Sequence, residues 1–227
     1  MKGSLLMANK IFRNKANVLL GAPDVAAAGG AVSIVTPAAD KTLYPTDAVT
    51  ELNEGLNPQP GGYVTPDGLS KAVEIDTEDI EDWNGDLVLR PMSKRTVTLS
   101  LTFMETANES VLKIVNPEGA VSTDDTGKVI EVKDLANDNP HFGIVFEIKG
   151  SRNRKIRIYA PYAQITDLGD IQYTRSSAVQ YEATITCYVD DHGAALYTWI
   201  QTIDDTTADK GTTNDQGAES PGTALES

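Results

Sequence analysis

The sequence predicts a mainly β protein with one or two short helices, an extended N-terminal arm and long loops. Three observations predict it. In Thr96-Val-Thr-Leu-Ser-Leu-Thr-Phe103, Val97, Leu99, Leu101 and Phe103 share one face while Thr96, Thr98, Ser100 and Thr102 share the other, the period of two that marks a half-buried strand. Residues 179–189 repeat the pattern, with Tyr181, Ala183, Ile185, Cys187 and Val189 on one side and Glu182, Thr184, Thr186 and Tyr188 opposite. Third, glycine and proline punctuate the first ninety residues so closely that only short elements fit between them.

With 227 residues, 40% of them hydrophobic, the chain can bury one sizeable core or two small ones. Its 33 Asp and Glu outweigh 19 Lys and Arg, for a formal charge of -14. That balance opposes general affinity for the phosphate backbone and for anionic membrane surfaces, both of which need clustered cations. A single cysteine excludes an internal disulfide framework, and Cys187 falls on an apolar strand face, where a thiol serves packing. The apolar run at residues 1–7 is too short for a signal peptide and no stretch approaches a membrane span. The chain is therefore expected in a cytoplasm until whatever it builds leaves the cell.

In chain order, residues 1–30 read as an arm, 31–36 as a strand and 46–52 as a short helix after Pro45 with Thr46 as cap. A second short helix is expected from Thr77, with Glu78 and Asp79 in its first turn, Ile80 and Trp83 on one side and Asn84-Gly85 as its end. The stretch 36–76 reads as one long loop. Leu87-Val-Leu89 begins a strand, Pro91-Met-Ser-Lys94 turns, and the alternating strand runs to Met104. Thr106-Ala-Asn-Glu109 has capping-box spacing ahead of a helix with Val111, Leu112 and Val115 on one face, closed by Pro117 and Gly119. Two alternating runs around Gly150 form a hairpin that brings Ile144, Phe146 and Ile148 against Ile156 and Ile158. Pro161 starts another short strand, and residues 173–189 return as the second long one. Residues 194–203 fit a helix or a strand, and 204–227 read as a flexible acidic tail.

Catalytic constellations are missing: there is no phosphate cradle, nucleophile elbow or Cys/His pair at metal spacing. Asp190-Asp-His192 and the group Asp134, Asp138, Asn139 hold metal-ligand residue types, but adjacent residues seldom converge on one ion and no calcium-loop spacing is present. No catalytic residue, cofactor or metal is assigned. Lys149, Arg152, Arg154, Lys155 and Arg157 stand out in an acidic chain. They read either as a solvated hairpin or as one half of a charge-complementary contact with another copy, whose best partner is the acidic stretch 74–82 with Ile80 and Trp83 for burial.

The succession Pro45-Thr-Asp-Ala48, Gly62-Tyr-Val-Thr-Pro-Asp-Gly68, Thr77-Glu-Asp-Ile80 with Trp83, a long strand ending Phe103-Met-Glu105 and a helix with Val111-Leu112 resembles the major tail protein of long-tailed, non-contractile bacteriophages, most like those of phages infecting actinobacteria. The resemblance covers residues 17 to 190. It implies a β-sandwich or barrel-like domain with one or two flanking short helices, the tail tube subunit of the virion, made in the host cytoplasm, whose hexameric rings stack around a lumen that conducts double-stranded DNA without binding it specifically. It also implies self-association and contact with other tail proteins at the tube ends.

On that reading the lumen wall is the polar face of the two long strands, Thr98, Ser100, Thr102, Glu182, Thr184 and Thr186. The subunit interface takes Tyr44 and Tyr63 from the loop 36–76, with Ile80, Trp83, Arg152, Arg154, Lys155 and Arg157. The alternatives are another virion component, such as a tail terminator or head decoration protein, and a ligand-binding β-domain, for which Trp83 and Trp199 must be exposed together.

Overall fold

The computed structural model describes residues 18–27, 30–151 and 153–203. Thirteen strands and one α-helix are described: β1 Gly21–Pro23, β2 Val32–Val35, β3 Gln59–Pro60, β4 Ser70–Thr77, β5 Ile80–Glu81, β6 Leu87–Leu89, β7 Met92–Phe103, α1 Glu109–Val115, β8 Val121–Thr123, β9 Ile130–Val132, β10 His141–Gly150, β11 Arg154–Leu168, β12 Tyr181–Cys187 and β13 Tyr197–Thr202. Nine strands form one antiparallel sheet in the order β3-β2-β10-β11-β12-β7-β4, with β1 added to β10 and β13 to β11. Pairs β5-β6 and β8-β9 are separate hairpins. The mainly β architecture predicted from the alternation is present, as is the sandwich-like form that the resemblance implies, with one α-helix.

The pivot is β11. Its first half pairs with β13 (Arg154↔Thr202 to Tyr159↔Tyr197) and its second half with β12 (Ala163↔Cys187 to Leu168↔Ala183). Between them Pro161 and Tyr162 oppose the single residue Gly143 of β10, a bulge that bends the strand. Pro161 therefore does not start a new strand; proline lacks a donor and is tolerated at such a bulge. A Cβ on Gly143 would come within 2.6 Å of Val35 Cγ2, so this crossing requires glycine.

Bending divides the sheet into two regimes. Residues 142–147 of β10 are all buried, because both faces are covered, as in a strand without polar alternation. On one side lies the main core, Ile34, Phe142, Ile144 and Phe146 packed with Leu99, Leu101, Phe103, Ile185 and the α1 residues Val111, Leu112, Ile114 and Val115. On the other lies a second core of Val35, Tyr44, Leu56, Val145 and Tyr159, flanked by Tyr197 and Trp199. By contrast β7 and β12 alternate buried and half-buried, and only one of their faces is covered.

Several local expectations are corrected. Residues 46–52 are not helical: the Asp47 carboxylate accepts the Val49 and Thr50 amides at 2.8 and 2.6 Å and the Thr50 hydroxyl at 2.6 Å, a local alternative that competes with helical bonding. No helix starts at Thr77. The chain runs through β5 and back through β6, and Asp82 Oδ1 accepts from the Asn84 and Asp86 amides at 2.8 and 2.9 Å. Gly85 at φ 83° closes the turn. The strand after Pro91 begins at Met92 rather than after a turn.

The α1 cap is Asn108, which accepts the Ser110 amide at 3.0 Å, not Thr106. Glu105 occupies the capping-box region instead, accepting from Asn108 Nδ2 at 3.1 Å and from the Tyr63 amide at 3.1 Å. The stretch 36–76 contains β3, β4 and two single 3₁₀ turns, Lys41–Leu43 and Glu54–Leu56. The second long strand is confined to Tyr181–Cys187, and Val189 is 62% exposed. Residues 197–202 are a strand. The predicted tail 204–227 and residues 1–17 of the predicted arm lie outside the described residues.

Tyr159 carries the second core's one discord. Its ring is fully buried, yet its hydroxyl has no partner, and burial pushes its ionisation above that of free tyrosine. Removing an unpaired buried hydroxyl restores no lost hydrogen bond and relieves desolvation. Tyr159→Phe is therefore expected to melt at the wild-type temperature or slightly above; a clear drop in a thermal melt would show that the hydroxyl is bonded.

Candidate functional surfaces

Register decides which polar residues share the open face of β7 and β12. Glu182 pairs with Thr102, Thr184 with Ser100 and Thr186 with Thr98; the next rows bring in Ser70, Ala72 and Glu74 from β4, and Gln164 and Asp167 from β11. Directly paired residues lie on one side of a sheet, so these side chains form one surface. Thr98, Ser100, Thr102, Thr184 and Thr186 are half-buried and Glu182 is exposed. Thr166 and Thr186 hydroxyls bond at 2.8 Å, and the Tyr188 hydroxyl donates to Gln164 Oε1 at 2.9 Å. The hydroxyls thus partly satisfy one another. Glu74, Asp167 and Glu182 are the charges on these rows, and the next row along β7 on the same face pairs Lys94 with Asp76.

A second surface is the arm formed by the outer parts of β4 and β7 and the β5-β6 hairpin. Every residue of β4, β5 and β6 is exposed. Ile75, Ile80, Leu87, Val88, Leu89 and Met92 each expose about half of their surface and Trp83 all of it. Arg90 braces the hairpin by a two-pronged contact with Asp79, 2.5 and 2.8 Å. Ile80 and Trp83 are thus on an outward surface.

The basic hairpin is a different matter. Arg157 is buried and its Nε lies 2.6 Å from Glu147 Oε1, both side chains 5% exposed; its Nη1 donates to the Asp47 carbonyl at 2.8 Å. Lys155 Nζ lies 2.8 Å from Asp24 Oδ2. Burial pushes the Glu147 carboxyl up, against the opposing pull of Arg157. Burial also pushes Asp24 up, but the bond and charge of Lys155 outweigh it and leave that carboxyl lowered. Arg157 is therefore not a surface cation awaiting the acidic stretch 74–82, because the subunit neutralises it internally. Arg154 is half-buried, and Arg152 lies outside the described residues.

Tyr44 is likewise corrected: it is 6% exposed, edge-on to Tyr159 at 5.1 Å and to Tyr197 at 5.6 Å, with its hydroxyl donating to the Ala38 carbonyl at 2.9 Å. It anchors the second core rather than a neighbour. Tyr63 is 74% exposed. Sequence reasoning missed Glu147 and Asp24. The hairpin register itself places Glu147 opposite Arg157, so the first of them was within reach of the sequence.

Other chemistry has little footing here. Asp190 is occupied: Oδ1 accepts the His192 and Ala194 amides, both at 2.9 Å, and Oδ2 accepts the Tyr197 hydroxyl at 2.8 Å. Among the described residues no three His, Cys, Asp or Glu side chains group as for a metal. Burial pushes the Cys187 thiol up to about 11. Trp199 stacks on Tyr197 at 5.8 Å and is half-buried against the second core, whereas Trp83 is fully exposed. Among the described residues no helix is long and apolar enough to cross a membrane.

A one-sided sheet with a hydroxyl and carboxylate face, carrying an exposed apolar hairpin, is the geometry of a component that assembles. The family model described as phage tail tube protein matches residues 24–211. The chain belongs to the phage tail tube protein family. It is thus a structural component of a virion tail. Comparison with curated proteins gives no match. Among solved structures this tail tube protein is similar to one described as the anti-feeding prophage cap, the tube terminating cap, determined by cryo-EM. The identity is 12% over 60% of this chain and 79% of that one, with a TM-score of 0.35, a likeness that carries no argument about the site.

Proposed function

We propose that this chain is the major tail tube subunit of a long-tailed, non-contractile phage, of the actinobacterial kind by the order of its parts. It closes into hexameric rings that stack around a DNA-conducting lumen. The observation that carries this reading is the open face of β7 and β12. A sheet half with one side in the core and the other bearing hydroxyls and an excess of carboxylates, Glu74, Asp76, Asp167 and Glu182 against Lys94, offers DNA phosphates little counter-charge, so the duplex passes without being held. Thr98, Ser100, Thr102, Glu182, Thr184 and Thr186 form the wall.

The exposed hairpin and Tyr63 supply contacts between copies, since stacked rings need heterologous, open-ended surfaces. Other tail proteins meet the tube at its ends. Assembly takes place in the host cytoplasm, and no cofactor is required.

Negative-stain microscopy of the purified protein is expected to show tubes of uniform diameter with a stain-filled channel; particles that remain single subunits at high concentration would overturn the reading. Glu182→Lys tests the wall. The side chain is exposed, so melting and tube formation should be unchanged. A ring of added cations in the lumen should slow DNA release from virions several-fold, because each lysine can now replace a phosphate counterion. Release at the wild-type rate would place Glu182 elsewhere.

A further inference from the structure

The N-terminal strand is attached to the domain in an unusual way. Both β1 and β2 pair with β10, Pro23 opposite Ile148 and Val32 opposite Phe146. Between these pairs β10 has the one residue Glu147, whereas the N-terminal segment has residues 24–31. Glu147 holds both ends of that excursion, its carbonyl accepting the Asp24 amide at 2.9 Å and its amide donating to the Ala31 carbonyl at 2.8 Å. The chain from 25 to 30 reads Val-Ala-Ala-Ala-Gly-Gly. Fully extended, six residues span up to roughly 20 Å. Release of β1 therefore needs no change in β2.

β1 itself is three residues long, exposed throughout, and makes its ladder only with Ile148–Gly150. What fixes it is Asp24, a carboxylate 4% exposed that reaches Lys155. Lys149, opposite Ala22 on the same edge, adds a second favourable charge. The seat is thus a short free edge of β10 with a cation at its end, which fits an extended segment terminating in a carboxylate. Lys155 is 27% exposed and open to an incoming strand, whereas the Arg157–Glu147 pair stays sealed within the domain.

We propose that Gly21–Asp24 is an exchangeable strand: it seats on its own β10 in an isolated subunit and on the β10 of a neighbouring copy in the assembled tube. This rests on the tube reading for its assembled state. Exchange keeps the β1–β10 ladder and the Asp24–Lys155 pair while converting them from intrachain to interchain contacts, the economy of domain swapping, and gives up only the turn bonds that the Ala27 and Gly30 amides donate to the Asp24 and Ala27 carbonyls. The length of chain between Asp24 and β2 supplies the reach.

Ala22 and Lys149 are direct partners and both exposed, so cysteines there lie within disulfide distance, and Cys187 is buried away from them. Ala22→Cys with Lys149→Cys, oxidised after assembly and run on a denaturing gel without reductant, should give a ladder of linked chains; dilute subunits oxidised before assembly should give single chains. Single chains alone from assembled material overturn the exchange. Microscopy of the same sample separates the two ideas: tubes without a ladder sink exchange alone, and a ladder without tubes sinks the tube alone.

A charge exchange gives a second readout. Asp24→Lys and Lys155→Asp chains should each assemble poorly and recover together when mixed, because only interchain seating brings the introduced cation of one chain against the introduced carboxylate of another. A mixture that stays unassembled while the double variant in one chain assembles overturns the proposal.

Discussion

Replacing residues 80–89 by a two-residue turn is expected to leave a folded subunit that no longer polymerises. The physical basis is the separation of two roles along one chain. No residue of β5 or β6 joins either core, and all are exposed, so the isolated domain should lose no more than about 1 kcal/mol. The same segment carries Ile80, Trp83, Leu87, Val88 and Leu89 into solvent, and clustered exposed apolar side chains of this kind mark protein–protein contact sites.

Trp83→Ala alone should act in the same direction. A fully exposed tryptophan at a hairpin tip is the type of side chain that dominates an interface, at about 2 kcal/mol or more on truncation, which is roughly a 30-fold rise in the concentration needed for tubes. Sedimentation across a concentration series measures it. Tubes at the wild-type concentration would show that the hairpin faces solvent in the assembly. By contrast, deleting residues 36–76 removes Tyr44, Leu56 and β4 and should unfold the domain rather than merely prevent assembly.

Arg157→Ala is expected to be the most destabilising single change in the hairpin. It strands the Glu147 carboxylate in a site 5% exposed and also frees the Asp47 carbonyl. Breaking one partner of a buried pair costs about 3–5 kcal/mol, a fall of the order of 10 °C in melting temperature for a domain of this size. Glu147→Leu with Arg157→Met should recover most of that, since a buried pair is worth little against well-packed apolar side chains. Thermal melts of the three proteins decide it. A single variant that melts within a degree or two of wild type would mean that the guanidinium reaches water.

The strand at β2 and the hairpin of β10 and β11 were read correctly from apolar runs and turn residues, and the two long strands from a single covered face. In β7 and β12 the alternation of Val97, Leu99 and Leu101, and of Ala183, Ile185 and Cys187, records one-sided burial, and period two is legible wherever one face meets water. The same signal was present at Lys71-Ala-Val-Glu-Ile-Asp76 in β4, where Val73 and Ile75 alternate with Glu74 and Asp76. The surrounding glycines and prolines obscured it. Short segments failed where a side chain overrode propensity: Asp47 tied up the amides that a helix would have used, and Asp82 did the same at the hairpin turn.

Of the candidate surfaces, the open polar face was determined by sequence alone, because the pleat assigns every second residue to one side whatever the rest of the chain does. The destination of the charged and aromatic residues was not. Arg157, Glu147, Asp24 and Tyr44 carry polar atoms that a sequence reading places outside, and all four are buried. Glu147 and Arg157 are buried because β10 and the first half of β11 lie between two cores, so that both faces of these strands are covered; Tyr44 belongs to the second of those cores and Asp24 is buried beside Lys155. Whether a strand has one neighbour layer or two is set by how the sheet bends at Pro161 and which distant segments return to cover it. That is a long-range property, which no local period encodes.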